Sequence, residues 1–276
     1  DTRQVDAAMS GVLESVDVII PVYNGENTIT KAIESVMAQT NANIGKIIVV
    51  NDGSTDATVS TIRSMDQPNV ELITTLNSGV AAARNMGVAT AKSEWIAFLD
   101  ADDCWLSDKL EKQLTIAKQY DVSFVCCAAN TNSKKLKGEI SFLSLWKGNF
   151  IATSSVVMTR ELAKKIKPLF SSGMTFAEDY ATWFKILATC SGYFTPENLT
   201  HYDISPKPHY QLGSIFWNFI VLQKECLFFL LKAKIPIYKK ISGLIVLVSG
   251  TSLSILSIFK RFISVYMPSH QASSTS

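Results

Sequence analysis

Short apolar runs recur through the first half of this chain, at residues 16–21, 46–50, 70–74, 95–99 and 122–128, each separated from the next by a helix-patterned stretch. Between the first two, Ile29, Ala32, Ile33, Val36 and Met37 share one helix face, with Asn27 or Glu26 placed to cap it. Val59 and Ile62 mark a second helix, and Ser78 or Gly79 opens an alanine-rich third that runs to Ala89. Mostly apolar runs of this length suit buried strands, and their alternation with helices predicts an α/β domain with a largely parallel sheet. Pro21 is expected to end the first strand, because proline cannot continue a central one.

Ligands of such sheets bind beyond the carboxyl ends of the strands. Three of those ends are polar here: Pro21-Val22-Tyr23-Asn24-Gly25-Glu26, Asn51-Asp52-Gly53-Ser54 and Asp100-Ala101-Asp102-Asp103. The third is the most charged, and the nearest lysines in sequence, Lys92 and Lys109, lie outside it. Crowded carboxylates repel, and a hard divalent ion, Mg²⁺ or Mn²⁺ shared with phosphate oxygens, is the common remedy. The alternative is an acidic helix cap, Asp102 or Asp103 ahead of Trp105-Leu106. Neither G-x-G-x-x-G after a strand nor G-x-x-x-x-G-K-[ST] occurs. Instead Tyr23 offers a ring, Glu26 and Asp52 offer acceptors, and the turns offer amides. These suit a nucleobase and ribose, so a nucleoside diphosphate carrying an activated group is the expected ligand class.

The series V-I-I-P-V-Y-N-G-E, I-V-V-N-D-G-S-T-D, N-S-G-V-A-A-A-R-N-M-G, F-L-D-A-D-D-x-W and A-E-D-Y-A-T-W, in that order across residues 16–203, resembles glycosyltransferase family 2, the inverting enzymes of GT-A fold. The resemblance implies a Rossmann-like, mostly parallel sheet with flanking helices. It implies that Pro21, Val22 and Tyr23 line the base pocket with Glu26 near it, that Asp52 accepts from the base ring, and that Arg84 helps place the nucleotide. Asp102 becomes the principal metal ligand, and Asp100 faces the ribose or joins the metal shell. The catalytic base becomes Asp179, with Glu178 beside it to raise its basicity and as a second candidate catalytic carboxylate. The alternative for that pair is a helix cap ahead of Trp183 and Ile186. Asn149 and Thr153-Ser154-Ser155 are expected to face the acceptor. One departure stands out: where relatives have Tyr-Arg and a His–Gly–Ser-type turn, this chain has Tyr202-Asp203, leaving Lys207 or His209 to replace the arginine.

Beyond about Gly213 the chain turns aliphatic and aromatic. Residues 212–231 are nearly all apolar, with Gln223, Lys224 and Glu225 interrupting. Residues 241–259 carry no charge and lie between Lys239-Lys240 and Lys260-Arg261, but many serines dilute them. This pattern predicts a helical hairpin in a membrane interface, with its basic residues on anionic headgroups; a span and a packed cap on the catalytic domain are the alternatives. The expected divisions are a flexible leader (1–15), a GT-A catalytic domain (16–210), the hydrophobic helical segment (211–268) and a polar tail (269–276). A net charge of +2 gives no electrostatic footprint for nucleic acid. Five cysteines without C-x-x-C spacing, and no signal-peptide pattern at the start, read as a chain of a reducing, cytoplasmic compartment, held at the inner face of the plasma membrane.

These readings predict a metal-dependent inverting hexosyltransferase, using Mn²⁺ or Mg²⁺ and a nucleotide sugar, UDP-linked by preference. Its acceptor would be a glycan or polyprenyl-pyrophosphate-linked saccharide in O-antigen or capsule synthesis. The alternatives are transfer to polyprenyl phosphate itself, or a non-catalytic nucleotide-sugar-binding partner in a glycan assembly complex.

Overall fold

A computed structural model describes residues 14–129, 137–147, 149–172, 178–201 and 212–232, together with 235–237, 240, 241 and 244. The described residues form one nine-stranded sheet between two helical layers. Strands β1 (Ser15–Val22), β2 (Asn43–Asn51), β3 (Val70–Thr74) and β4 (Trp95–Phe98) alternate with helices α1 (Ile29–Met37), α2 (Thr58–Ser64) and α3 (Val80–Thr90), and pair in parallel in the order β3-β2-β1-β4. β1, β4 and the second half of β2 are covered on both faces, whereas β3 is a partly exposed edge strand. Val18 and Ile20 of β1 pack with Ile29, Ile33 and Val36 of α1, whereas Ile19 packs toward α3. There Gly87 lets the helix lie directly on the strand, since a Cβ at that position would stand 2.3 Å from Ile19 Cγ2.

Pro21 does not end β1. It pairs with Val50 in a strand that runs to Val22 between two neighbours. The register explains why this is tolerated. Ile19 C=O accepts from Leu99 N–H on the β4 side and Val22 C=O accepts from Asp52 N–H on the β2 side. Along a strand these directions alternate, so the Pro21 nitrogen faces β4, whose pairing with β1 has already stopped at Phe98.

Beyond β4 the sheet changes character. The next strand in space is β8 (Val156–Thr159), antiparallel to β4 and to β6 (Phe124–Ala129). Further out come β9 (Gly192–His201), parallel to β6, then the short β5 (Cys104–Trp105), with β7 (Gly138–Ile140) also on β9. An antiparallel strand delivers the residues before it to the edge where parallel strands deliver the residues after them. Residues 149–155 therefore arrive at the carboxyl edge of β1, β2 and β4. Helix α4 (Lys109–Tyr120) joins α1 and α2 on one face, and α5 (Arg160–Lys165), α6 (Glu178–Thr189) and α7 (Leu212–Lys232) join α3 on the other.

Helix α7 buries Leu222, Cys226 and Leu230 in that second core and leaves Leu227, Phe228 and Leu231 exposed. Among the described residues no helix is long and apolar enough to cross a membrane. Apart from 241 and 244, the uncharged stretch 241–259 lies outside the described residues, as do 1–13 and 269–276.

Candidate active site

The polar ends of β1 and β2 are sewn into one surface. Asn24 N–H donates to Ser54 Oγ (2.9 Å), and Asn24 Oδ1 accepts from Thr55 N–H (2.8 Å). Gly25 N–H donates to Thr58 Oγ1, Glu26 N–H donates to Asp56, and the Glu26 carboxylate accepts from Ala57 N–H (2.8 Å). Glu26 and Asn27 therefore do not cap α1, which begins after Thr28. A third loop closes on this surface through Asp52, which is buried. Its carboxylate accepts from the amides of Ser78 (2.9 Å) and Gly79 (2.8 Å) and from Thr75 Oγ1, which orders the loop that opens α3 at Gly79. Pro21 and Val22 are buried beneath, whereas the Tyr23 side chain is half exposed (51%) and presents its ring at the edge.

The acidic turn lies beside the first loop; a Cβ on Gly25 would be 3.8 Å from that of Ala101. Its three carboxylates have different surroundings. Asp102 is exposed. Asp103 is buried (1%), accepts from Ser154 Oγ and caps no helix, since α4 follows Asp108. Asp100 has a fifth of its side chain exposed and pairs through Oδ1 with Arg84 Nη2 at 2.7 Å. The countercharge missing from the local sequence thus comes from α3. Lys109 turns away: it is fully buried, donates to Gln113 Oε1, lies over the Trp105 ring at 4.0 Å, and burial pushes its amine down to about 8.

Ser154 is the brace beneath this turn. Its hydroxyl bonds Asp103 and accepts from Asp100 N–H (2.9 Å), and its carbonyl accepts from Trp105 Nε1 (2.8 Å). Thr153, Ser154 and Ser155 are all buried, so this segment supports the acidic turn and does not present its side chains to an acceptor. Ser154→Ala strips a buried carboxylate of a donor and an amide of its acceptor, and is expected to lower the unfolding free energy by about 1–3 kcal/mol in urea titrations.

Arg84 is almost wholly buried (4%). Its Nη1 holds Glu178 Oε1 at 2.8 Å while Nη2 holds Asp100, and its Cζ lies 5.3 Å from the Phe170 ring centroid. Burial works against the guanidinium charge, and Asp100 and Glu178 more than restore it. Its Nε is buried without a partner among the described residues. The next residue, Asn85, clamps the Phe170 backbone from both sides, donating to its carbonyl and accepting from its amide.

Glu178 is buried on Arg84, and Asp179 follows it at the start of α6. Asp179 Oδ2 accepts from Asn149 Nδ2 (2.7 Å) and Oδ1 from Tyr180 N–H. Burial, reinforced by the Glu178 charge, pushes the Asp179 carboxyl up to about 6, against the pull of those bonds and of Arg84. A carboxylate with that affinity for protons suits general-base work near neutral pH. The Glu178-Asp179 pair is visible in the sequence; nothing there marked Asn149 as the partner or Ser154 as the brace, because both contacts are made across the sheet.

A divalent cation fits this edge only as a shared guest. Among the described residues no group of three or more His, Cys, Asp or Glu side chains gathers around one point. Asp100, paired with Arg84, and the exposed Asp102 stand two residues apart on this turn, and two carboxylates would suit a magnesium-like ion whose shell phosphates and water complete. Residues 202–210, including Lys207 and His209, lie outside the described residues.

Solved structures share the fold. TarS 1-349 from S. aureus, in complex with UDP-GlcNAc, superposes with a TM-score of 0.68 at 17% identity, over 82% of this chain and 69% of that one. The mannosyltransferase PcManGT from Pyrobaculum calidifontis, in complex with GDP-Man and Mn²⁺, gives 0.63 at 18% identity over 93% and 82%. In sequence, the Escherichia coli UDP-Glc:alpha-D-GlcNAc-diphosphoundecaprenol beta-1,3-glucosyltransferase WfgD is 34% identical over 62% of this chain and 69% of its own. Its counterpart WfaP is 34% identical over 64% and 71%. The model of the family described as Glycosyl transferase family 2 matches residues 17–166, more than half of the 276, so the match takes in the sewn loops, the acidic turn and its serine brace. On that match, and with the GT-A fold of the sheet, the chain belongs to glycosyltransferase family 2 and is a glycosyltransferase.

Proposed function

We propose that this chain transfers a hexose, with inversion, from a UDP-sugar to a hydroxyl of a polyprenyl-diphosphate-linked saccharide during assembly of a bacterial surface polysaccharide. The observation that carries this reading is Asp179: a carboxylate pushed up to about 6, oriented by Asn149 and tied through Glu178 and Arg84 to the acidic turn. Inversion is a single displacement, in which the acceptor oxygen attacks the anomeric carbon as the nucleotide leaves from the other side. Asp179 takes the hydroxyl proton as the new bond forms. Tyr23 stacks on the base, with Pro21 and Val22 beneath it and Glu26 alongside. Asp52 orders the pocket through the amides of Ser78 and Gly79, and its role toward the base is shared with those amides. Asp102, with Asp100 near it in sequence, would hold Mn²⁺ or Mg²⁺, and the ion would supply positive charge to the departing diphosphate. WfgD and WfaP, by name, use UDP-Glc and a GlcNAc-diphosphoundecaprenol acceptor, which supports both the donor and the acceptor class proposed here.

The outward face of α7 supports a place for the enzyme on the cytoplasmic surface of the inner membrane. Leu227, Phe228 and Leu231 are exposed there beside Lys232, whose ammonium lies 4.2 Å from the Phe228 ring centroid. Apolar side chains edged by lysine suit a surface of anionic headgroups.

Thermal-shift measurements with UDP-, GDP- and dTDP-sugars, with and without Mn²⁺, test the donor. One UDP-sugar is expected to raise the melting temperature in a metal-dependent way, through binding to the folded state. Transfer of labelled sugar to acceptors in anionic vesicles then separates polyprenyl-diphosphate-GlcNAc from polyprenyl phosphate. A shift with GDP- or dTDP-sugars alone overturns the donor, and transfer to polyprenyl phosphate alone overturns the acceptor.

A further inference from the structure

We propose that Asn149 and Asp179 together read two neighbouring oxygens of the acceptor sugar, so that transfer goes to a ring hydroxyl whose adjacent carbon also carries a hydroxyl. The proposal rests on the function proposed above for the acceptor class and for Asp179 as the base. It goes further in naming the acceptor feature that this pair selects.

The pair is held from α6. Asp179 and Trp183 lie about one turn apart on that helix, with Tyr180 between them. Asp179 Oδ2 accepts from Asn149 Nδ2 at 2.7 Å, the Tyr180 hydroxyl donates to the Leu145 carbonyl at 3.2 Å, and Trp183 Nε1 donates to the Ile151 carbonyl at 3.0 Å. Leu145, Ile151 and Trp183 are buried, so the chain on either side of Asn149 is seated in the core while Asn149 itself is exposed. Its Oδ1 accepts from Ile151 N–H. That bond fixes which end of the side-chain amide faces the carboxylate. Turned over, the amide would set its oxygen against Asp179 and its NH₂ against an N–H.

One hydrogen of Asn149 Nδ2 is used on Asp179, and among the described residues the other has no partner. Asp179 Oδ1 is taken up by Tyr180 N–H, which leaves Oδ2 as the oxygen beside that second hydrogen. An acceptor and a donor thus stand side by side at 2.7 Å. Hydroxyl oxygens on adjacent carbons of a sugar ring have a similar separation, close to the length of a hydrogen bond. Asp179 Oδ2 receives the attacking hydroxyl, and Asn149 Nδ2 donates to its neighbour. As the bond to the anomeric carbon forms and the bond to the nucleoside diphosphate breaks, the hydroxyl proton passes to Oδ2. The neighbour stays on Asn149 throughout and keeps the attacking oxygen in place. A hydroxymethyl group outside the ring has no hydroxyl on the adjacent carbon and is not selected.

The test uses the full chain, a UDP-sugar, and lipid-diphosphate-GlcNAc acceptors that are intact or lack one hydroxyl each. The analogue without the attacking hydroxyl accepts no sugar. The analogue without its ring neighbour is expected to raise the acceptor KM of the wild type ~3–10-fold. Asn149→Ala is expected to raise the acceptor KM of the intact sugar by a similar factor and to leave the donor KM unchanged. On the analogue without the neighbour, alanine is expected to add nothing to the KM, because the contact is already gone. Additive losses, an acceptor KM that alanine leaves unchanged, or a product linked through the hydroxymethyl group overturns the proposal. Asn149→Ser serves the same comparison if the alanine variant does not fold. Calorimetric binding of the same acceptors in the presence of UDP gives the cycle without turnover. Coupling seen there when no UDP-sugar is transferred would count against the donor proposed above and leave the acceptor pair standing, whereas no binding of any acceptor would overturn both.

Discussion

Replacing Asp179 by asparagine is expected to lower the rate of sugar transfer ~10²–10⁴-fold and, in the same protein, to raise its resistance to unfolding near neutral pH. The first effect is the loss of the proton acceptor. The second follows from the same burial that makes the residue a good base. Its carboxyl sits at about 6 against an ordinary 3.8, so the folded state holds that proton more tightly than the unfolded chain does. Between about pH 4 and 6 the folded state carries more protons, and stability falls as pH rises through that window. Above it, the ionised carboxylate costs the fold ~2–3 kcal/mol, because each tenfold gain in proton affinity is worth ~1.4 kcal/mol. Asparagine removes that cost and can still accept the Asn149 bond. Urea titrations of both proteins near pH 7 should show the variant as the more stable, and near pH 4 the gap should close. The wild-type rate should drop about tenfold per pH unit below about 6, as Asp179 takes up its proton. A variant that is inactive and also less stable at neutral pH would mean that Asp179 is a structural carboxylate.

Arg84→Met is expected to be the most destabilising single change at the site, by about 3–5 kcal/mol, because it leaves two carboxylates without their shared cation. The two are not equally exposed. The Asp100 side chain keeps 20% of its surface in water and Glu178 only 11%, so most of the penalty should fall on Glu178. Adding Glu178→Gln to the methionine variant should therefore recover more stability than adding Asp100→Asn, measured by urea unfolding of the four proteins. Equal recovery would mean that Arg84 serves both partners alike.

Much of this was legible in the sequence where the cause was local. The strand that leads into Asp100 is an uninterrupted apolar run, and the turn formers at Gly25, Gly53 and Gly79 fall where the parallel strands end. Asp179 was marked by its pairing with Glu178 ahead of Trp183, and Gly79 does open α3. What escaped was non-local. Asp103 reads as a helix cap because the serine it bonds is 51 residues downstream. The partners of Arg84 escaped because they lie 16 and 94 residues away. Pro21 reads as a strand end because only the register of β4 reveals that its nitrogen needs no partner. The antiparallel β8 has no signature that separates it from a parallel strand, since either kind, buried on both faces, is simply apolar.

The change of strand direction at β8 also bears on how such enzymes could be recombined. The seam between β4 and β8 divides the sheet into a parallel part that carries the sewn loops and a mixed part that brings in Asn149 and Asp179. Exchanging one part for that of a relative would look like a simple route to a new donor or acceptor preference. The stitches across the seam argue that the cut is not clean: the Asp100 amide on Ser154 Oγ, Asn85 on the Phe170 backbone, and Arg84 on Glu178 each join the two sides. A chimera spliced at the strand boundary would keep its backbone pairing and lose these matches. One that carries residues 154, 170 and 178 along with the parallel part transplants the joints together with the pocket they hold in shape.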